Sequence, residues 1–171
     1  MCGTHDLWLF VLSGLLLNIT PGPDTLYIVG RSTTQGWRGG AGAALGVAAG
    51  TLVHICAAAL GLSAILAASA SLFTAVKIIG AVYLLYVGIS LIRSAGGALV
   101  PTIAPDSRAA TLRVIFLQGF FTNVLNPKVA LFFLAFLPQF VETASPAKPL
   151  AFLFLGVIFD FNGPLWNLLV A

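Results

Sequence analysis

The sequence predicts an all-α integral membrane protein, a polytopic helix bundle of two inverted three-helix repeats. Each repeat opens on a broken helix, and the second is truncated, so that five spans are visible. Three observations carry this. Of 171 residues, 59% are hydrophobic and 8% charged, against roughly 45–50% and about 25% in soluble domains. With a mean hydropathy of +1.04, such a chain cannot clothe a water-facing globule, which excludes a soluble enzyme or a nucleic-acid-binding domain. The eight Lys+Arg and five Asp+Glu, net +3, stand at the ends of apolar runs, as topology signals do. Helix-breaking residues, finally, recur at corresponding places in the two halves.

The first span covers residues 7–30, where Asp24 is the only charge. Roughly 24 residues rising about 1.5 Å each reach about 36 Å, enough to cross a bilayer with some tilt. A signal peptide would place positive charge ahead of this stretch, and His5 and Asp6 stand there instead. Between Arg38 and Lys77 no side chain carries a full charge, an interval too long for one crossing. The small-residue run 67–71 divides it into a second span, 40–66, and a third, 72–92, which ends at Arg93. Lys77, at the start of a helix, can snorkel to the interface.

The loop 94–111, rich in Gly, Pro and Ala and holding Asp106 and Arg108, is the longest polar interval. A fourth span, 112–137, is interrupted by Asn126, Pro127 and Lys128 and stops at Pro138. The fifth, 150–171, follows Glu142, Pro146, Lys148 and Pro149 and is still apolar at Ala171. The expectation is that one more span follows in the parent protein. Arg31, Arg38, Arg93, Arg108 and Arg113 mark one side and only Lys77 and Lys148 the other. The loop 94–111 is therefore expected in the cytoplasm and the N-terminus outside.

Gly14, Asn18 and Pro21 of the first span lie over Gly119, Asn123 and, one place later, Pro127 of the fourth. Interrupted helices at matching places in two three-helix units point to an inverted-repeat transporter whose breaks form the site. Pro21-Gly22-Pro23 removes two backbone donors and frees carbonyls on one side and amides on the other. Asp24 opens the resumed half-helix, where the dipole favours an anion. It reads either as a cap or as a functional carboxylate, and intramembrane carboxylates cost roughly 2.5–3.5 kcal/mol. Counting rise puts Asp24 some 25 Å below the outer end of span one and Lys128 some 22 Å above the cytoplasmic start of span four. The two breaks are thus expected on either side of a central site, without a direct Asp24–Lys128 salt bridge.

Gly42, Gly46 and Gly50 form a small-xxx-small face for close helix approach. His54 continues that series toward an interface or cavity, either as a proton-coupling group or as a neutral histidine hydrogen-bonded between helices. Gly156, Asp160, Pro164 and Asn167 share one face of span five.

These residues resemble the LysE/RhtB family of bacterial amino-acid exporters. The likeness rests on Thr20-Pro21-Gly22-Pro23-Asp24, on the Gly-rich second span, on Gly80-x-x-Tyr83-Leu84 leading to Gly88, and on Gly119 through Asn123 to Asn126-Pro127-Lys128. It implies a secondary active exporter of amino acids or close derivatives across the bacterial inner membrane, driven by the proton or an ion gradient. The family carries a further last helix, missing here. A substrate carboxylate would meet a half-helix N-terminus, and its ammonium Asp24 or the freed carbonyls. The expected binding residues are Asn18, Pro21, Gly22, Pro23, Asp24, His54, Asn123, Asn126, Pro127, Lys128 and Asp160.

Neither a cofactor nor a resident metal is expected, nor catalysis. The partners are membrane lipid, the amino acid, protons or ions and, through the glycine faces, a possible homodimer, but no nucleic acid. The chain holds no Gly-x-x-x-x-Gly-Lys-Ser/Thr loop for ATP. Cys2 and Cys56 lack the spacing of a thiol-redox pair. The alternatives are a divalent-metal exporter, with Asp24, His54 and Asp160 lining one cavity, or a non-transporting helical scaffold.

Overall fold

The computed structural model describes residues 3–69, 71, 74, 75, 78, 79, 82, 85, 89, 110–142 and 145–171. Most of the expected third span and nearly all of the loop 94–111 lie outside these residues. So do Lys77, Gly80, Tyr83, Leu84, Gly88, Arg93, Asp106 and Arg108.

The described chain is helical. The helices are α1 (Leu7–Ile19), α2 (Pro23–Ala57), α3 (Ser63–Ala68), α4 (Leu112–Val124), α5 (Pro127–Leu131) and α6 (Lys148–Val170). A π-helical turn, Ala58–Leu62, joins α2 to α3, and another, Phe132–Phe136, followed by the 3-10 turn Leu137–Phe140, extends α5. The described residues form no strand, only an isolated bridge between Thr4 and Val141. The chain leaves the helix at Ser69, inside the small-residue run.

Residues Pro23–Ile65 form 43 helical residues, about 65 Å at 1.5 Å each and far more than one crossing needs. The excess is resolved at Gly36, whose φ of 69° and ψ of −174° lie where only glycine settles without strain. Gly36 divides α2 into limbs 23–35 and 37–57. The first limb holds residues 23–30 of the expected first span, and the second holds the start of the expected second span, 40–66. By length and composition Pro23–Ile65 and α6 can cross a membrane, and α4 with the segment Pro127–Phe140, bent by 45° at the break, is apolar and long enough when taken together.

The second limb of α2 packs on α4 through the glycine face. A methyl group on Gly50 would lie 2.7 Å from the Phe120 carbonyl oxygen, and one on Gly119 2.6 Å from that of Ala43. Gly46 faces the Phe116 carbonyl just as closely. The helices thus meet backbone to backbone.

Two apolar clusters form the core. One, rich in phenylalanine, joins Phe10, Ile55, Leu62, Phe132, Phe133, Phe140, Phe152 and Phe159, with Phe159 centred 4.8 Å from Phe132. The other is small: Ile28, Ala43, Ala44, Val47 and Ile115. Along α2 the order is small cluster, Thr51, aromatic cluster; along α6 it is aromatic cluster, Asp160, then Leu168 and Ala171 beside the small cluster. A polar layer therefore lies between the two apolar clusters.

The ends of the bundle are tied as well. Glu142 N donates to Gly3 O at 2.8 Å and His5 N to Phe140 O at 3.1 Å, so the N-terminal segment and Glu142 share one side. At the opposite end the Ser32 hydroxyl donates to the Ala171 carbonyl, and Arg31 Nη2 donates to Gln118 Oε1 at 2.7 Å.

Candidate functional site

The site follows from what proline cannot do. α1 ends at Ile19, the backbone at Thr20 turns extended, and α2 restarts with Gly22 as cap residue and Pro23 in its first position. In a continuous helix Leu17 O would accept from residue 21 and Ile19 O from residue 23, but both are prolines without an N–H. Lys128 supplies a donor to the first of these and to Thr20, where the chain leaves the helix: its Nζ donates to Leu17 O at 3.1 Å and to Thr20 O at 2.9 Å.

The second break repeats this grammar. α4 ends at Val124, Asn126 caps the next helix by accepting from Lys128 N at 3.0 Å, and Pro127 takes the first position. Pro127 leaves Asn123 O without its helical donor, and two others take over, Asn126 N at 2.9 Å and His54 Nε2 at 3.1 Å. A carbonyl only accepts, so His54 carries a hydrogen on Nε2. At each break a basic side chain from another element thus takes up a freed carbonyl.

The two breaks interlock. Asp24 does not cap its own helix, for the cap residue is Gly22 and no side-chain cap bond forms there. Its Oδ2 instead accepts from Asn123 Nδ2 and Asn126 Nδ2, both at 2.9 Å. Thr51 Oγ1 lies 3.4 Å from Asn123 Oδ1. Asp24, Thr51, Asn123, Asn126 and Lys128 are all buried.

The expectation of two breaks on either side of the site is corrected, since they meet at one level. Counting rise set the two breaks roughly 10 Å apart in depth, whereas their side chains are in hydrogen-bond contact. Asn123, a turn before the second break, stands beside Asp24, while the long Lys128 stem reaches back to the first. Asp24 and Lys128 form no salt bridge; the only ion pair among the described residues is His5–Asp6.

A cavity of about 20 Å³ lies at the junction, lined among others by Leu17, Asn18, Asp24, Asn123, Lys128 and Asp160. Asn18 Nδ2, Asp24 Oδ1 and Asp160 Oδ1 are buried atoms of these residues without a hydrogen-bond partner in the protein. Buried polar atoms are nearly always paired, so three orphans around one cavity mark a place built for a polar ligand or water. Pro164, inside α6, withholds the helical donor from Asp160 O. Leu17, Asn123 and Asp160, whose carbonyls lose a helical donor to proline, all line this cavity.

His54 lies elsewhere. Its ring stacks on Phe133 at 5.9 Å and lines a second cavity of about 180 Å³ beside the two π-helical turns. The expectation that Asp24, His54 and Asp160 line one cavity is therefore corrected, because Asn123 O draws the imidazole away. Among the described residues no three His, Cys, Asp or Glu side chains gather as metal ligands. Pro21, Gly22 and Pro23 act through the backbone. Thr51 escaped the sequence reading, although it lies one position beyond the glycine series. So did Tyr27, whose hydroxyl donates to Ile115 O at 2.9 Å, since a tyrosine within a span carries no distinguishing pattern.

The LysE type translocator family matches residues 15–171. A membrane protein of Pseudomonas aeruginosa, named as uncharacterized, is 34% identical over 166 residues, 96% of this chain and 77% of that one. A leucine efflux protein of Salmonella choleraesuis is 29% identical over 163 residues, 92% of this chain and 74% of its own length. A homoserine/homoserine lactone efflux protein of Salmonella typhi is 32% identical over 155 residues, 90% and 73% of the two chains. No solved structure is significantly similar.

Proposed function

The chain belongs to the LysE type translocator family, and from that premise we propose that it exports amino acids or close derivatives across the bacterial inner membrane, driven by the proton or an ion gradient. Leucine and homoserine, named in the relatives, are the first substrates to test. The N-terminus and Glu142 lie outside the cell, and the arginine-rich end lies in the cytoplasm.

The observation that carries this reading is Asp24: one carboxylate oxygen is gripped by two asparagines from the other break, and the second is left without a partner. The substrate ammonium binds Asp24 Oδ1, with Asp160 across the cavity. The substrate carboxylate takes Asn18 Nδ2 and the amide end of α5, where the ladder begins only at Ala130 N and Val129 N precedes it. Leu17 O and Thr20 O at the first break are not open to the ammonium, because Lys128 holds them.

The cavity has room for about one water, so loading requires the breaks to separate. The inverted repeats rock about the site. The small cluster opens to admit substrate from the cytoplasm, and the aromatic cluster opens to release it.

Asp24→Asn tests this. An asparagine oxygen still accepts from Asn123 and Asn126, so the grip survives while charge and titration are lost. Radiolabelled leucine and homoserine efflux should fall at least about tenfold at unchanged membrane abundance, the equivalent of roughly 1.4 kcal/mol and within the worth of one charged hydrogen bond. Export at the parental rate over the accessible pH range would remove Asp24 from the mechanism.

A further inference from the structure

We propose that the carbonyls freed at the first break form a cation seat and that the ammonium of Lys128 is its resident ligand. Pro21 strips the donor of Leu17 O, and Thr20 O is freed where the backbone turns extended at the C-terminal end of α1, where the helix dipole is already negative. Lys128 Nζ sits on Leu17 O and Thr20 O at 3.1 and 2.9 Å. The backbone is cut to fit it, for a methyl group on Gly22 would stand 3.0 Å from Nζ and 3.2 Å from Cε. The second break aims it, since Pro127 starts the helix and Asn126 Oδ1 fixes the Lys128 amide at 3.0 Å. Asp24 forms no ion pair with that ammonium, and so keeps Oδ1 for a mobile ligand.

Unwound carbonyls in broken-helix transporters coordinate a coupling cation. Here a tethered primary ammonium fills that place, and the ligand class the seat accepts is a small primary ammonium. Under the export reading, sodium then has no place on these two carbonyls, and export is expected to run without it. The seat itself does not depend on that reading.

Lys128→Ala removes the outline of propylammonium. The purified full chain in detergent is unfolded by heat with and without millimolar propylammonium chloride, with tetramethylammonium chloride, which has no N–H, as the control. The variant should unfold at least about 5 °C below the parent. Propylammonium should recover at least half of the loss, and tetramethylammonium none. Equal unfolding temperatures, no recovery, or equal recovery by both salts overturns the seat.

If the alanine variant does not fold, Lys128→Met keeps the stem and asks the same question: an unfolding temperature equal to the parent's overturns the proposal. In liposomes, efflux by the parent should be unchanged when sodium is replaced by choline. A sodium requirement overturns the expected sodium independence alone, whereas loss of the export reading would show as no efflux in either salt.

Discussion

Gly50→Ala tests whether backbone contact between α2 and α4 holds the site together. The new methyl group would stand 2.7 Å from Phe120 O and 2.8 Å from Asn123 Cβ, against roughly 3.5 Å for an ordinary carbon contact. Both obstacles belong to α4 itself, so no side chain can swing clear, and the helices must part by about 0.7 Å. Asn123 moves with α4. Its bonds to Asp24 at 2.9 Å and from His54 at 3.1 Å would stretch to roughly 3.6–3.8 Å, where no hydrogen bond remains.

Overpacking costs about 1–3 kcal/mol, and losing a bond to a buried charge costs about 1.5–3 kcal/mol. At about 2–4 °C per kcal/mol the unfolding temperature should fall by roughly 10 °C. Efflux per molecule should collapse with it, because the grip on Asp24 is gone. Gly42→Ala is the control from the same face: its methyl group would meet Leu112 Cδ2 at 3.5 Å, and alanine favours the helix by up to about 1 kcal/mol. Thermal unfolding of purified protein and efflux at matched membrane abundance read both variants. The reasoning is refuted if Gly50→Ala unfolds and exports like the parent, or if Gly42→Ala does equal harm.

On a background without Cys2 and Cys56, Thr143→Cys should react with an impermeant maleimide in intact cells, and Gly97→Cys only after permeabilisation; the reverse pattern would invert the orientation and exchange the two apolar clusters. A tag on the N-terminus should report the same side as position 143, since Gly3 is bonded to Glu142. His54→Gln keeps a donor for Asn123 O but cannot titrate, so it should change the pH dependence of efflux more than its maximal rate. An unchanged pH profile would leave His54 as a helix closure only.

Where the helices break was legible in the sequence because it is a local matter. Pro21, Pro23 and Pro127 have no N–H whatever surrounds them, so three ladder bonds are missing in any fold. The small-residue face 42–46–50 was equally readable, since the helix period sets which residues share a side. Gly36 was not singled out, because a lone glycine beside Trp37 and Arg38 does not announce that it will take a positive φ. That conformation is forced by the need to end one crossing and begin another.

Which group closes each gap is a tertiary decision. From sequence, Lys128 and Asp24 are opposite charges in two apolar spans, and His54 is a titratable group near both. The fold sends Lys128 to Leu17 O and Thr20 O, His54 to Asn123 O, and the amides of Asn123 and Asn126 to Asp24. Chain chemistry fixes which carbonyls and amides lose their helical partners. The donors that reach them are set by the 45° bend between α4 and α5 and by the glycine contacts that press α2 against α4, and no residue carries that information by itself.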